Sequence, residues 1–239
     1  MKKISLALVF LLSLQFSSMA QIEKSIFNTT KGDLEIWHIG HGTLMLKIQN
    51  KVIHVDPYST LTDYNQLPKA DLILITHEHQ DHLDSKAIDA VKQESTRYIL
   101  SQVCHDILGL GEVLKNGESS TWSDILIEAV PAYNIVHKRP DGEFFHPKGR
   151  GNGYVLNIGD KRIYIAGDTE DIPEMKVLQN IDIAFLPMNL PYTMTPEMTA
   201  NAARLFMPKI LYPYHYGNTD TGLLVELLKA ETDIELRIK

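Results

Sequence analysis

Three imidazoles and their acidic neighbours crowd into the run Thr76-His77-Glu78-His79-Gln80-Asp81-His82-Leu83-Asp84, directly behind the apolar segment Leu72 to Ile75. Imidazole nitrogen and carboxylate oxygen are the donors preferred by zinc and the borderline metals near it, whereas thiolate-rich sets mark structural zinc or iron-sulfur clusters. The single cysteine, Cys104, excludes a thiolate cage. His77 and His79 stand two apart, so an extended turn lets both face one metal, while Asp81 and His82 can turn toward a second. The chain has ten histidines in all, and three of them within six positions argue against a solvated loop that merely happens to hold them.

The elements that must position this run are legible around it. Leu72 to Ile75 reads as a buried strand, and the loop leaving the carboxyl end of such a strand is a common place for an active site in layered α/β proteins. From Asp84 to Lys92 the apolar residues Ala87, Ile88 and Val91 fall at helical spacing with Asp84 placed to cap, so the loop joins a strand to a helix. Upstream, Leu34 to Ile39, Thr43 to Ile48 and Lys51 to Val55 read as strands, parted by Gly40-His41-Gly42 and by Gln49-Asn50. The second half repeats the plan. Ile125 to Val130, Tyr154 to Ile158 and Arg162 to Ala166 read as strands, the last two joined by the hairpin turn Gly159-Asp160-Lys161. Ile181 to Leu186 and Ile210 to Tyr214 follow, separated by a helix from Pro196 to Phe206 that Thr195 caps. Two strand-rich halves with helices predict a two-sheet sandwich flanked by helices. Ala132 to Gly153, long and rich in Gly, Pro and charge, is expected to be an irregular loop over a site.

The run His77-x-His79-x-Asp81-His82 resembles the metal-binding motif of the metallo-β-lactamase-fold hydrolases. The likeness covers all but the N-terminal segment: Asp56-Pro57 after one strand, Gly167-Asp168-Thr169 after another and His215 after a third stand in that superfamily's order and spacing. Pro131-Ala132-Tyr133-Asn134 and Pro213-Tyr214-His215-Tyr216-Gly217 look most like the branch containing ascorbate-phosphate lactonase and N-acylphosphatidylethanolamine phospholipase D. The resemblance implies an α/β fold, a four-layer αβ/βα sandwich of two mixed sheets flanked by helices, with two divalent metal ions in the groove between the sheets. Zinc is the first expectation, and manganese or iron suits the same donors. His77 and His79 with a third donor would hold the first ion, Asp81, His82 and His215 the second, and Asp168 would bridge them at about 3.5 to 4 Å.

The third donor is where this sequence departs from the pattern. Related branches place a histidine just after a Pro-Ala pair, where this chain has Tyr133 and Asn134. His146 is favoured, because His146-Pro147-Lys148-Gly149-x-Gly151-x-Gly153 has the glycine content of a tightly folded backbone. Asn134, a weak zinc ligand, and His137 are the alternatives; His137, amid Lys138 and Arg139, is expected to face solvent, and Asn134 to hydrogen-bond the bound ligand. Asp56 is expected to orient a ligand histidine from behind. His41 belongs at the rim of the groove and His54 to the packing, while Tyr192, Thr193, Tyr214 and Tyr216 flank the mouth. Lys138, Arg139, Lys148 and Arg150 sit on the loop and can attract an anionic group, Lys148 foremost.

Met1 to Ala20 carries Lys2 and Lys3, the apolar run Ile4 to Leu14 and then Ser18-Met19-Ala20, the pattern of a secretory signal peptide too short to span a bilayer. Cleavage would leave one domain, 21–239, in a secreted or periplasmic protein with no stable membrane insertion. The 23 basic residues against 30 acidic ones give a net charge of −7, and losing Lys2 and Lys3 makes the balance more acidic. Such a surface argues against nucleic acid as a partner and for a small-molecule substrate. Cys104, in an apolar stretch, reads as a buried inert thiol. The function expected is that of an exported metal-dependent hydrolase using a metal-bound hydroxide on an ester, lactone, amide or phosphodiester bond, with Asp81 accepting the nucleophile's proton. A di-iron oxidoreductase on the same fold and a metal-binding protein without turnover are the alternatives.

Overall fold

The computed structural model describes residues 22–239; the leader expected over Met1 to Ala20 lies outside the described residues. Its first seven strands form one sheet in chain order: β1 (Glu23–Thr29), β2 (Gly32–Gly40), β3 (Thr43–Ile48), β4 (Lys51–Val55), β5 (Leu72–Ile75), β6 (Arg97–Leu100) and β7 (Glu112–Val113). Strands β1 to β4 pair antiparallel and β4 to β7 parallel. A second sheet of seven repeats the wiring with β8 (Ser119–Trp122), β9 (Ile125–Ala132), β10 (Gly151–Ile158), β11 (Lys161–Ile165), β12 (Ile183–Pro187), β13 (Ile210–Tyr214) and β14 (Glu235–Leu236). There β8 to β11 are antiparallel and β11 to β14 parallel. Two mixed sheets flanked by helices are the α/β sandwich that the sequence implies.

Alternation along the strands divides the apolar residues among three cores. Leu72 and Leu74 face inward, into a cluster that Leu156, Ile163, Phe185 and Tyr212 complete from the other sheet. Their neighbours Ile73 and Ile75 face outward and pack with Ala87, Ile88 and Val91 of α1 (Ser85–Val91) and Cys104 of α2 (Gln102–Leu108). On the far side, Ala200, Ala203 and Phe206 of α3 (Pro196–Phe206) and Leu224 and Leu228 of α4 (Thr221–Leu228) cover Tyr164, Ala184 and Leu211. A strand buried on both faces has no polar side to show, which is why β5 is apolar at every position. Truncating one such side chain, Leu74→Ala, costs about 2 to 5 kcal/mol.

The caps fall where the sequence places them. Asp84 accepts from the backbone N–H of Lys86 and Ala87, and Thr195 from that of Met198, so both helices start at residues that satisfy otherwise orphaned donors. Cys104 is buried, and burial pushes its thiol up to about 12, as an inert core thiol requires. The expected irregular loop is shorter than 132–153, because β9 runs to Ala132 and β10 begins at Gly151, pairing those two residues directly. What remains, 133–150, carries a small antiparallel bridge between Lys138 and Phe144. Among the described residues, no helix is long and apolar enough to cross a membrane.

Candidate metal centre

Every connection that supplies the site leaves the same end of the sandwich. The loop after β5 carries His77, His79, Asp81 and His82; the exit of β11 carries Asp168, that of β13 His215, and the loop between β9 and β10 His146. All seven converge. His77 Nε2 lies 3.0 Å from His79 Nδ1 and 4.0 Å from Asp168 Oδ2, and His146 Nε2 lies 3.3 Å from the same oxygen. His82 Nε2 lies 3.2 Å from His215 Nε2, 3.6 Å from Asp168 Oδ1 and 3.7 Å from Asp81 Oδ2. The donors fall into one set of His77, His79 and His146 and another of His41, Asp81, His82 and His215, while His77, His82 and Asp168 form a third that joins them.

These atoms fit divalent cations. Imidazole nitrogens with facing lone pairs, 3.0 to 3.2 Å apart, have nothing to offer one another unless a proton or a cation lies between them. Among the described residues, Asp168 Oδ1 is a buried carboxylate oxygen with no hydrogen-bond partner, an arrangement that a native fold tolerates where a ligand completes it. Burial alone would push the Asp168 carboxyl up, but the imidazoles of His215, His82 and His146 hold it well below the ordinary carboxylate range. Burial and the neighbouring His82 likewise drive His77 well below its usual value, so its ring is neutral and free to donate a lone pair.

The outward ring nitrogens fix these tautomers. Asp56, fully buried, accepts from Thr76 N at 2.7 Å, from Thr76 Oγ1 at 2.6 Å and from His82 Nδ1 at 2.8 Å, which turns His82 Nε2 inward. Because its hydroxyl proton goes to Asp56, Thr76 Oγ1 is left as the acceptor for His77 Nδ1, 3.0 Å away. Asn134 Oδ1 accepts from His146 Nδ1 at 2.7 Å and from its backbone N–H at 2.7 Å. The Asn134 amide in turn donates to Glu170 Oε1 at 2.9 Å, and Glu170 also gathers the backbone N–H groups of Ile135, Val136 and His137 at 2.6 to 2.7 Å. Such acceptors behind ligand histidines fix ring orientation and raise basicity.

Backbone geometry bears the same stamp. His41, Asp56 and His215 adopt positive φ of 50, 45 and 47°, conformations that cost of order 1 to 3 kcal/mol apiece and cluster at functional sites. The His215 N–H bonds the His41 carbonyl at 2.8 Å, tying the β2–β3 turn to the exit of β13. A Cβ on Gly42 would meet His82 Cε1 at 2.8 Å, and one on Gly167 would meet the Asn152 carbonyl at 2.8 Å, so both positions need glycine for close approach.

Several expectations change. His41 is no rim residue: its Nε2 lies 2.8 Å from Asp81 Oδ2 and its ring 3.7 Å from that of His215, within the second donor set. Its flanking glycines were the available signal. Asn134 does not face a ligand but orients His146. His137 is half-buried rather than solvent-facing, its Nδ1 2.7 Å from Glu170 Oε1, because Glu170 draws that turn inward. Glu170 itself had no signal, being an acid 36 residues from the asparagine it clamps. Lys148 points out of the cleft, paired with Glu174 at 2.7 Å and with Tyr133 OH at 3.2 Å. Of the expected mouth residues, Tyr192 lines the cleft over the donors, Tyr214 is buried with its hydroxyl accepting from Gly167 N, and Thr193 is buried.

Residues 35–215 match the model of a family described as a beta-lactamase superfamily domain. A curated metal-dependent hydrolase of Ligilactobacillus salivarius is 32% identical over 193 residues, spanning 76% of this chain and 84% of that one. A crystal structure from Parabacteroides distasonis, designated a candidate metal-dependent hydrolase, is 53% identical, covers 91% of this chain and 98% of its own, and superposes with a TM-score of 0.87. A metallo hydrolase of Ignicoccus hospitalis shares the fold at a TM-score of 0.70 and 22% identity, covering 86% of this chain and 94% of its own.

Proposed function

The chain belongs to the beta-lactamase superfamily and is a metal-dependent hydrolase, and from that premise we propose that it cleaves an ester, lactone, amide or phosphodiester bond at a pair of divalent cations, zinc before manganese or iron. The observation that carries the pair is Asp168, whose carboxylate lies between the two sets: Oδ2 is 3.3 Å from His146 and 4.0 Å from His77 of one set and 3.6 Å from His215 of the other, and Oδ1 is 3.6 Å from His82 of that other set. His77, His79 and His146 would hold one cation and Asp81, His82 and His215 the other. Bound there, two cations would lower the pKa of a shared water from about 15.7 toward about 7 and polarise the scissile oxygen.

The chain's own groups do the rest. Asp81, at the edge of the cleft, is pushed up by burial, but hydrogen bonds from His215 and His41 outweigh this and hold it well below the carboxylate range. So acidic a group is a poor store for a proton at neutral pH, and a nearby cation depresses it further. Asp81 therefore serves as a fixed acceptor that orients the attacking water. His41 holds Asp81 in place, and Asn134, anchored by Glu170, keeps His146 turned inward. We further propose an exported, mature chain beginning near Gln21 that acts on a small molecule; the leader pattern supports this, and N-terminal sequencing of the protein made in its host tests it.

Elemental analysis of the purified protein should give about two equivalents of metal. In a screen across lactones, phosphodiesters and β-lactams, chelation should abolish turnover and metal should restore it. Full turnover in a metal-free preparation overturns the reading, and a coloured protein carrying iron turns it toward oxidative chemistry.

A further inference from the structure

Of the five imidazoles ranged around Asp168, four have a polar side-chain group behind the outward nitrogen: Thr76 Oγ1 for His77, Asp56 for His82, Asn134 Oδ1 for His146 and the Asn189 amide for His215. His79 differs. Its Nδ1 faces the donor set, and its outward Nε2 lies 3.1 Å from the Arg139 guanidinium. A neutral imidazole that gives the Nδ1 lone pair to a cation keeps its one proton on Nε2, and a guanidinium has only donors. Two N–H donors therefore face each other, and what they need is an acceptor.

We propose that the cleft over the donors binds an anionic substrate whose carboxylate, sulfate or phosphate oxygens accept from both Arg139 and His79 Nε2, Arg139 being a specificity-determining residue. This rests on the proposed metal site for the proton on His79 Nε2, and on the hydrolase reading only in calling the ligand a substrate. Arg139 is suited to the task because the other lid cations are engaged. Lys148 pairs with Glu174 and Arg150 with Glu78, and Lys138 lies over the Phe144 ring. Arg139 pairs with no carboxylate among the described residues. Its Nη2 reaches the Phe145 carbonyl at 3.3 Å and its guanidinium lies 5.1 Å from the Phe145 ring centroid, which aims the fork into a cleft of about 360 Å³. Charge-assisted, forked contacts of this kind are how arginine recognises oxyanions. Phe145 and Tyr192, edge to face at 5.0 Å, line the same cleft and suit an apolar or aromatic body carrying the anion.

The probe is 2-naphthalenesulfonate, an aromatic oxyanion that is a weak metal ligand, titrated calorimetrically into the metal-loaded protein. Wild type should bind it, Arg139→Gln at least tenfold more weakly, Arg139→Lys in between, and Lys148→Gln, which removes the same charge outside the cleft, as well as wild type. Metal content should be equal in all four. Undiminished binding by Arg139→Gln, an equal loss in Lys148→Gln, or no binding by wild type at millimolar probe overturns the proposal. A kinetic arm compares phenyl acetate with 4-sulfophenyl acetate: Arg139→Gln should raise KM at least tenfold for the sulfonated ester alone. If neither ester, nor any compound of the broader screen, is turned over while sulfonate binding still depends on Arg139, the hydrolase reading fails and the anion site stands.

Discussion

Two carboxylates leave equivalent strands of the two sheets. Asp56 follows β4 and Asp168 lies just beyond β11, each at the step where antiparallel pairing gives way to parallel. Asp56 is saturated: Thr76 N, Thr76 Oγ1 and His82 Nδ1 take both its oxygens. Burial pushes it up, against the lowering by His82 and Thr76. Asp168 keeps Oδ1 free of any hydrogen bond among the described residues, and the surrounding imidazoles hold it far down. Equivalent places in the wiring thus yield one acid that orients donors and one that is a donor. What separates them is whether the polypeptide has already filled the lone pairs.

The sharpest way to break that contrast is to neutralise each acid in turn. Asp168→Asn should lose bound metal and at least about 10³-fold in rate, the scale expected when the metal supplies the nucleophile. His79→Ala should match it, since it removes one of the imidazoles proposed to hold a cation beside Asp168. Asp56→Asn keeps the volume but leaves His82 Nδ1 with a neutral partner, and second-sphere losses of this kind weaken metal affinity about 10- to 100-fold. Metal titration and kcat on both variants decide. Equal losses for Asp56→Asn and Asp168→Asn would erase the distinction between orienting and binding acids.

A smaller effect sharpens the comparison inside the second sheet's long loop. Asn134→Ala removes the acceptor behind His146 while sparing every inward donor, so the cation proposed to lie among His77, His79 and His146 should bind about tenfold more weakly. The other cation, measured by stepwise titration, should be unmoved. Loss of both would mean that the loop, not the ring orientation, had failed.

The same contrast explains what was legible from residues alone. The first sheet's donors stand on one loop, spaced two, two and one apart behind an all-apolar strand, and local spacing is what a sequence displays. Strand β5, the Asp84 cap and the helix after Thr195-Pro196 were readable for the same reason: each is decided within a few residues. The second sheet's residues come from three separate connections: Asp168 and His215 were expected from the superfamily's order, and His146, where this chain departs from that order, from the glycine content of the segment it opens. Asn134 reaches His146 across 12 residues, Glu170 its partners across 33 to 36 and His41 Asp81 across 40, where neither periodicity nor capping leaves a mark. Edge strands β1, β8 and β14 carry polar residues on an open face or span only two positions, so alternation had little to work on.

A last difference lies within the strands themselves. At the fourth position of β4 stands His54, and at the fourth of β11 Tyr164, both fully or nearly buried. Burial pushes His54 down to about 4, partly countered by its bond to the Pro68 carbonyl, and burial pushes the Tyr164 phenol up, far from neutral pH. Of these two equivalent positions, only the one in the first sheet titrates in the acid range. Above pH 6.5 His54 is neutral folded and unfolded, so its contribution is complete. As pH falls from about 6.5 toward about 4 the unfolded chain takes up a proton that the folded one refuses, and stability declines. Between pH 7 and pH 6 the loss should be about 0.7 kcal/mol, or about 2 °C in Tm for a domain of this size. His54→Gln keeps a donor for the Pro68 carbonyl and removes the titration, and metal-linked protons affect both proteins alike. The difference in Tm between wild type and His54→Gln should widen or narrow by that amount over this one pH unit, and a gap that stays constant would mean that the two sheets do not differ in this respect.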